Sequence, residues 1–361
     1  MESQLHTHIA HSVAEIAPES WEALSGGAPF QSQRWYRFGE AVMADCPPTY
    51  VTVLDGGRPA ARASLWLVRD EPLPVQGGPL REATQAYLRR RPLMLCRSPL
   101  SSMPGVLLRH PPEAPRARFE LRGRESAESD AATRALVSAA REQARLAGAS
   151  FLVFDFLTPE LGDLAACTLA LGKAGDPGTL MELPWGSFDE FLAGLGKNGR
   201  KHYRRTVRRA EELGITVSRH RTVERIPEAL DLIRGVERRY GSAPNPWMRG
   251  MMEQLEMVAG TWLAATIGQR LVGCELVLQD NGAQAVTALG LAPDVPYAYF
   301  ALGYEDIRLA IETGMRTLYW GSGAYEVKER LGFRTYPNNL IAYAGLGLAP
   351  RLIARAAAVM L

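Results

Sequence analysis

The sequence predicts an α/β chain of the α+β kind, built as two similar domains in tandem, each a mixed and mostly antiparallel sheet flanked by helices. Three observations predict it. Segments of helical and of period-two apolar spacing follow one another in the same order in both halves. Within them, Thr49-Tyr50-Val51 with Gly56 and Arg58 matches Thr261-Trp262-Leu263 with Gly268 and Arg270, and a helix, Gly148 and the strand Phe151 to Phe154 match a helix, Gly314 and the strand Thr317 to Trp320. The chain has 361 residues, 47% hydrophobic and 22% charged, which is enough for two cores. The expected domains are 1–180, with an insertion near 75–130, and 181–346, followed by a short amphipathic helix over 347–361 that exposes Arg351 and Arg355.

In chain order, Ile16 to Leu24 has weak helical spacing and Phe30 to Met43 a stronger one, with Trp35, Phe38 and Val42 on one side. Thr49 to Leu54 and Ala60 to Val68 are strands joined by the turn Asp55-Gly56-Gly57-Arg58. Leu73 to Glu82 reads as a Pro/Gly loop, and 91–130 is Pro-rich, with short strand-like pieces at Gly105 to Arg109 and Arg116 to Leu121. Thr133 to Leu146 is a helix ended at Gly148, and Phe151 to Leu157 a strand. A loose Gly/Ala/Pro stretch follows. Ser187 to Glu190 is a capping box for a short helix to Leu195, and the next helix begins at once. Ile215 to Arg219 is a strand, Ile226 to Tyr240 a helix, and Thr261 to Ile267 with Leu271 to Leu278 a second hairpin. Gln284 to Leu291 adds a third strand, Tyr299 to Thr313 a helix and Thr317 to Trp320 a strand, with Leu340 to Ala344 expected to close that second sheet.

The helix after Leu195 is the strongest local signal. KNGRKHYRRTVRRAEE places Lys197, Arg200, Lys201, Arg204, Arg205, Arg208 and Arg209 on it before the first acid at Glu211. Asn198 is the expected cap, and Tyr203, Val207 and Ala210 the apolar stripe. Cations at every fourth residue repel, and those at the N-terminal end oppose the macrodipole, so the arrangement suits a phosphate-bearing partner. A solvated face neutralised by acids elsewhere is the alternative. The whole chain carries only +2, so the basicity is local to this helix.

Four separated cysteines (Cys46, Cys96, Cys167, Cys274) form no metal-type pairs, which points to a reducing cytoplasm. No signal pattern opens the chain, and no apolar run approaches the ~18 residues of a membrane span. The sequence holds no Gly-x-Ser-x-Gly elbow, no His-Glu-x-x-His and no Cys/His cluster, which argues against covalent or metal catalysis.

A helix pair, an antiparallel hairpin, a third strand, a helix and a strand in this order resemble the GNAT acyltransferase fold in tandem. LGKNGRKHYRRTVRRAEELG, the hairpin WLAATIGQRLVGCELVL and GMRTLYWGSGAYEVKERLGF resemble the CelD-like and Fem-type branch, where a basic helix opens the second domain and Tyr-x-x-Lys follows the last strand. Tyr325-Glu326-Val327-Lys328 fits that element, and Gly77-Gly78-Pro79 is similar to a Gly-Pro turn of Fem-type first domains. The resemblance implies transfer of an acyl group to an amine, with no bound cofactor. Acetyl-CoA enzymes of the fold carry a glycine loop for the pyrophosphate, whereas this chain has Tyr297, Tyr299 and Phe300 there. Fem-type members also lack the loop and take the acyl group from aminoacyl-tRNA, so the resemblance implies that donor, with acyl-CoA as the alternative and a non-catalytic RNA-binding protein as a second.

Amide formation needs an uncharged amine, a held carbonyl and a stabilised oxyanion. Lys328 is a candidate oxyanion or phosphate ligand, or else a surface lysine paired with Glu326 or Glu329. Glu275, inside an apolar strand, is either a solvent-facing residue or a general base in a cleft. Tyr325 joins them as a catalytic candidate through its motif. Tyr240, Trp247, Tyr299, Trp320 and Tyr325 are aromatics that border loops, at least two of the five being expected to be packing alone; Tyr240, Trp247, Tyr299 and Trp320, with Ser322, are the candidates for substrate contact. The seven cations of the basic helix are the candidate tRNA contacts. The expected partners are tRNA and a small-molecule amine, around a monomer.

Overall fold

The computed structural model describes residues 5–71, 79–109, 124–159, 161, 164, 169–348, 350 and 351. The elements in order are β1 (Leu5–Ala10), α1 (Pro18–Ser25), α2 (Gln33–Val42), β2 (Pro48–Asp55), β3 (Arg58–Val68), α3 (Pro79–Arg90), β4 (Leu93–Cys96), β5 (Val106–Leu108), α4 (Arg124–Leu146), β6 (Phe151–Leu157) and β7 (Ala170–Lys173). They continue with β8 (Gly178–Glu182), α5 (Phe188–Gly194), α6 (Lys197–Glu212), β9 (Ile215–His220), α7 (Ile226–Tyr240), α8 (Met248–Glu253), β10 (Thr261–Ile267), β11 (Arg270–Asp280), β12 (Ala283–Leu291), α9 (Ala298–Glu312), β13 (Thr317–Trp320), α10 (Tyr325–Arg330), β14 (Arg334–Tyr336) and β15 (Leu340–Gly345). Contacts divide the chain into two units, Met1–Glu71 with Glu82–Gly175 and Pro337–Leu361, and Pro72–Arg81 with Asp176–Tyr336.

The first unit's sheet runs β1-β2-β3-β4-β6-β15-β7, with β5 beside β3, and the second runs β9-β10-β11-β12-β13-β8-β14. Each is antiparallel except for one parallel pair, β4 with β6 and β12 with β13. The internal repeat extends to the hairpin registers. Asp55 faces Arg58 in one and Ile267 faces Arg270 in the other, with the bulge at Val53/Leu54 and at Ala265/Thr266. Gly148 (φ 71°) and Gly314 (φ 69°) both end their helix in the left-handed region, where glycine carries no Cβ penalty. In the first unit α4 lays Leu136, Val137, Ala140 and Ala144 on Val51, Ala63, Leu65 and Leu152; in the second, α9 lays Ala298 and Leu302 on Leu263, Ala265 and Val277.

Several expectations need correction. Leu340 to Ala344 does not close the second sheet: β15 pairs with β6 and β7 of the first, because β6 presents an unpaired edge there and strand periodicity carries no partner label. The corresponding place in the second sheet is taken by β8, from the stretch read as loose. The strands β1 and β7 were not anticipated either. Pro79 opens a helix, where Leu73 to Glu82 was expected to be a loop, and proline suits a first turn. Gly77, Gly78, Arg116 to Leu121, Cys167 and Arg355 lie outside the described residues. In α6 the cap is Gly196, one turn boundary before Asn198, and no side chain caps it. Thr206 rather than Val207 is buried beside Ala210: it stands three residues after Tyr203 and four before Ala210, on the same face.

Candidate active site

β12 and β13 stay paired from Ala283↔Thr317 to Val286↔Trp320. Beyond that pair β12 continues to Leu291, while the other chain turns off through Gly321 and Ser322, and the two backbones part. The opening holds about 190 Å³ and is lined by Glu275, Thr287, Tyr299, Trp320, Ser322 and Lys328, with Val286, Ala288, Leu289 and Gly321. A bulge in the β11/β12 ladder leaves Thr287 without a strand partner, and its hydroxyl donates to the Leu276 carbonyl at 3.1 Å.

Glu275 lies on β11 between Leu263 and Leu289. It is 3% exposed, so the solvent-facing alternative falls; every residue of β11 after Arg270 is buried, which leaves alternation no wet face. Its Oε2 has no hydrogen-bond partner. Burial, and then the charge of Asp306, push this carboxyl well above the usual range.

Asp306, fully buried on α9, supports the cleft wall. Its Oδ2 accepts from the Trp320 indole N–H at 2.6 Å and its Oδ1 from the Gln284 amide at 2.7 Å. Trp320 stacks on Phe333 at 4.4 Å and meets Tyr299 edge-on at 6.4 Å. Gly303 makes room for it, since a Cβ there would stand 2.8 Å from the Trp320 ring. Asp306 and Gln284 were not singled out from sequence; a carboxylate within the buried face of α9 was the available signal.

Lys328 is 6% exposed. Its ammonium donates to the carbonyls of Gly321 (2.6 Å) and Ser322 (3.2 Å), not to Glu326 or Glu329, and burial pushes it down to about 8. Two of its three N–H donors are thereby used. The Tyr325 hydroxyl donates to the Pro177 carbonyl at 2.6 Å, and Tyr325 does not line the cleft. Tyr299 is pushed up to about 12 by burial, then by the charges of Glu275 and Tyr240. Tyr240 is 76% exposed, whereas Trp247 is buried at the start of α8; neither lines the cleft. Among the described residues no cluster of three His, Cys, Asp or Glu is placed to hold a metal ion.

On α6 the cations fall into two sets. Arg200 donates to the carbonyls of Ala193 and Leu195, and Arg208 and Arg209 pair with Glu212. Lys197, Lys201, Arg204 and Arg205 are exposed, and among the described residues no acid pairs with them. His202, between the two sets, meets the Tyr304 hydroxyl at 2.9 Å and is held low by burial and by Arg205 and Arg330.

Residues 197–329 match the acetyltransferase (GNAT) domain family. Among solved structures the fold is shared with a tandem GNAT protein from the clavulanic acid biosynthesis pathway (14% identity, 96% of this chain and 99% of that one, TM-score 0.55). It is also shared with FemX (11%, 93% and 96%, 0.58) and with the C-terminal domain of a putative lysylphosphatidylglycerol synthetase from Agrobacterium fabrum (13%, 97% and 98%, 0.50). No curated protein matches the chain significantly. Residues 197–329 are thus a GNAT acetyltransferase domain by their match to that family. The second unit carries this domain, and the chain as a whole has the tandem GNAT fold. No helix among the described residues is long and apolar enough to cross a membrane.

Proposed function

We propose that the second unit joins an acyl group to an amine in the cleft between β12 and β13, with Glu275 as base and Lys328 as oxyanion ligand. The carrying observation is that a buried, unpartnered carboxyl from β11 and a buried ammonium from α10 line one opening. The amine nitrogen attacks the acyl carbonyl, its proton passes to the Glu275 carboxylate, and the C–N bond forms as the bond to the donor's oxygen or sulfur breaks and the leaving group takes up a proton. The carboxyl serves as base once its own proton has gone to solvent, and the amine attacks in its uncharged form. The third N–H of Lys328 is available for the developing oxyanion, and the two carbonyls it holds fix its position.

For the donor, aminoacyl-tRNA is favoured. Tyr297 stands at the cap of α9 with Tyr299 and Phe300 in its first turn, and Asp294, paired with Arg270, precedes it, which is a poor seat for a pyrophosphate. Four exposed, unpaired cations on α6 suit a longer polyanion. The likeness to FemX agrees with this; the clavulanic acid tandem GNAT, whose description mentions AcCoA, supports the second reading, an acyl-CoA donor. The protein is taken as a cytoplasmic monomer that binds no cofactor, with Tyr240 beside Tyr299 as an exposed stacking surface. The test offers both donors with one acceptor amine held fixed. An amide formed from charged tRNA and abolished by ribonuclease supports the reading; ribonuclease-resistant turnover of an acyl-CoA overturns the donor, and RNA binding without any amide overturns the enzyme.

A further inference from the structure

We propose that Asp306 is the positioning residue of this cleft, holding the Trp320 indole as its wall from behind the sheet. The inference rests on the reading of the cleft as the transfer site, but its argument comes from the molecule's own repeat. Asp306 joins a continuous buried chain: Thr313 Oγ1 accepts from the Gln279 amide at 2.8 Å, the same amide reaches Gln284 Oε1 at 2.5 Å, and Gln284 and Trp320 both donate to Asp306. Such a chain is costly to bury unless every member is satisfied.

The first unit shows what the fold itself requires at these places. Glu275 faces Leu263 as Ala63 faces Val51 in the matching hairpin. Gln279 faces Gln284 as Leu67 faces Met94. In the parallel ladders Gln284 and Trp320 occupy the steps of Met94 and Phe154. Asp306 precedes Gly314 by the same interval as Ala140 precedes Gly148. Ala63, Met94, Ala140 and Phe154 are all packed in the first unit's apolar core. Alanine, leucine, methionine and phenylalanine therefore build this architecture unaided, and among the described residues the polar set belongs to the second unit, which carries the cleft described above.

The bond to Trp320 has a clear purpose. The indole is clasped on its face by Phe333 and given room by Gly303, but only Asp306 fixes its N–H edge, and with it the surface turned to the cleft. The charged groups facing Asp306 are Glu275 from β11 and Glu305 from its own helix, the latter held by Arg219 and Arg308. Burial raises the Asp306 carboxyl above the usual carboxylate range, and the bond to the indole strengthens as that carboxyl ionises.

The test uses the full-length protein labelled at its indole nitrogens, with the Trp320 resonance assigned by Trp320→Phe. In the wild type that N–H resonance lies downfield and shifts with pH as the carboxyl titrates above its ordinary range. Asp306→Ala moves it upfield and lowers turnover on the order of 10²-fold, the cost of a misplaced reacting geometry; Asp306→Asn, which retains an acceptor, keeps the downfield position without the titration and restores most of the rate. An unmoved resonance in Asp306→Ala overturns the proposal, as does full activity with the resonance displaced. If Asp306→Ala does not fold, Gln284→Met, the first unit's residue, removes one of the two anchors of the carboxylate and must shift the same resonance. If the wild type forms no amide at all, the transfer reading fails separately and the resonance alone decides whether Asp306 holds the wall.

Discussion

Arg97, buried, and Asp155, half-buried, form an ion pair 3.8 Å apart, just past the last pair of the β4/β6 ladder, where the second unit has Thr287 and Gly321 and an open cleft. Glu71 holds the same guanidinium with bonds of 2.6 and 2.8 Å. The parting of two parallel strands is common to both units, and charge fills it in one of them.

Arg97→Met leaves the half-buried Glu71 and Asp155 without their cation. The expected cost is about 3–5 kcal/mol of stability. Turnover per folded molecule is expected to be unchanged if the chemistry is carried by the second unit, as proposed above. Urea unfolding with activity normalised to the folded fraction checks both; a fall in normalised turnover removes the division of labour.

Glu275→Gln should abolish most turnover while stabilising the protein at neutral and alkaline pH. The folded-state carboxyl titrates well above its ordinary 4.5, so the folded protein holds a proton that the unfolded chain releases. Stability is complete below that ordinary value and declines as pH rises through the folded-state value. The glutamine removes the decline. Thermal unfolding of both proteins from pH 5 to 9 would show it, and parallel curves would contradict the assignment.

Lys328→Ala is expected to reduce kcat by about 10²–10³-fold, as for loss of an oxyanion donor. The wild-type rate should fall above pH 8 as the ammonium loses its proton. The sign for stability is opposite: the folded value of about 8 lies below the ordinary 10.5, so stability rises between them. An alanine variant with wild-type kinetics excludes Lys328 from the site.

Salt dependence separates the cations of α6. Arg204→Glu and Arg205→Glu should each lower the log–log slope of tRNA binding by roughly 0.7–0.9. Arg208→Glu and Arg209→Glu should do less, since both already pair with Glu212. Equal effects at all four positions would mean a diffuse field instead of defined contacts.

Ala342→Asp places a carboxylate in the first unit's core through the chain's last strand. A loss of about 3–5 kcal/mol is expected. Exposure of the first-unit strands to limited proteolysis is the measurement, and an unaltered cleavage pattern would show that β15 is dispensable there.

Local chemistry was legible along the sequence. The hairpin spacing, the glycine stops and the basic run of α6 depend on neighbours within a few residues, so they marked the elements, the repeat and the fold. The anomaly of Glu275 in an apolar strand and the Tyr-x-x-Lys element likewise marked two cleft residues. Tertiary pairing decided the rest. That β15 enters the first sheet, that β11 is buried on both faces so that Glu275 looks into a cleft, and that Asp306 reaches Trp320 are relations between segments far apart in sequence. The side-chain pattern of a strand or helix states which face must be covered, whereas which partner covers it depends on backbone hydrogen bonds and packing that form only once the distant segments meet.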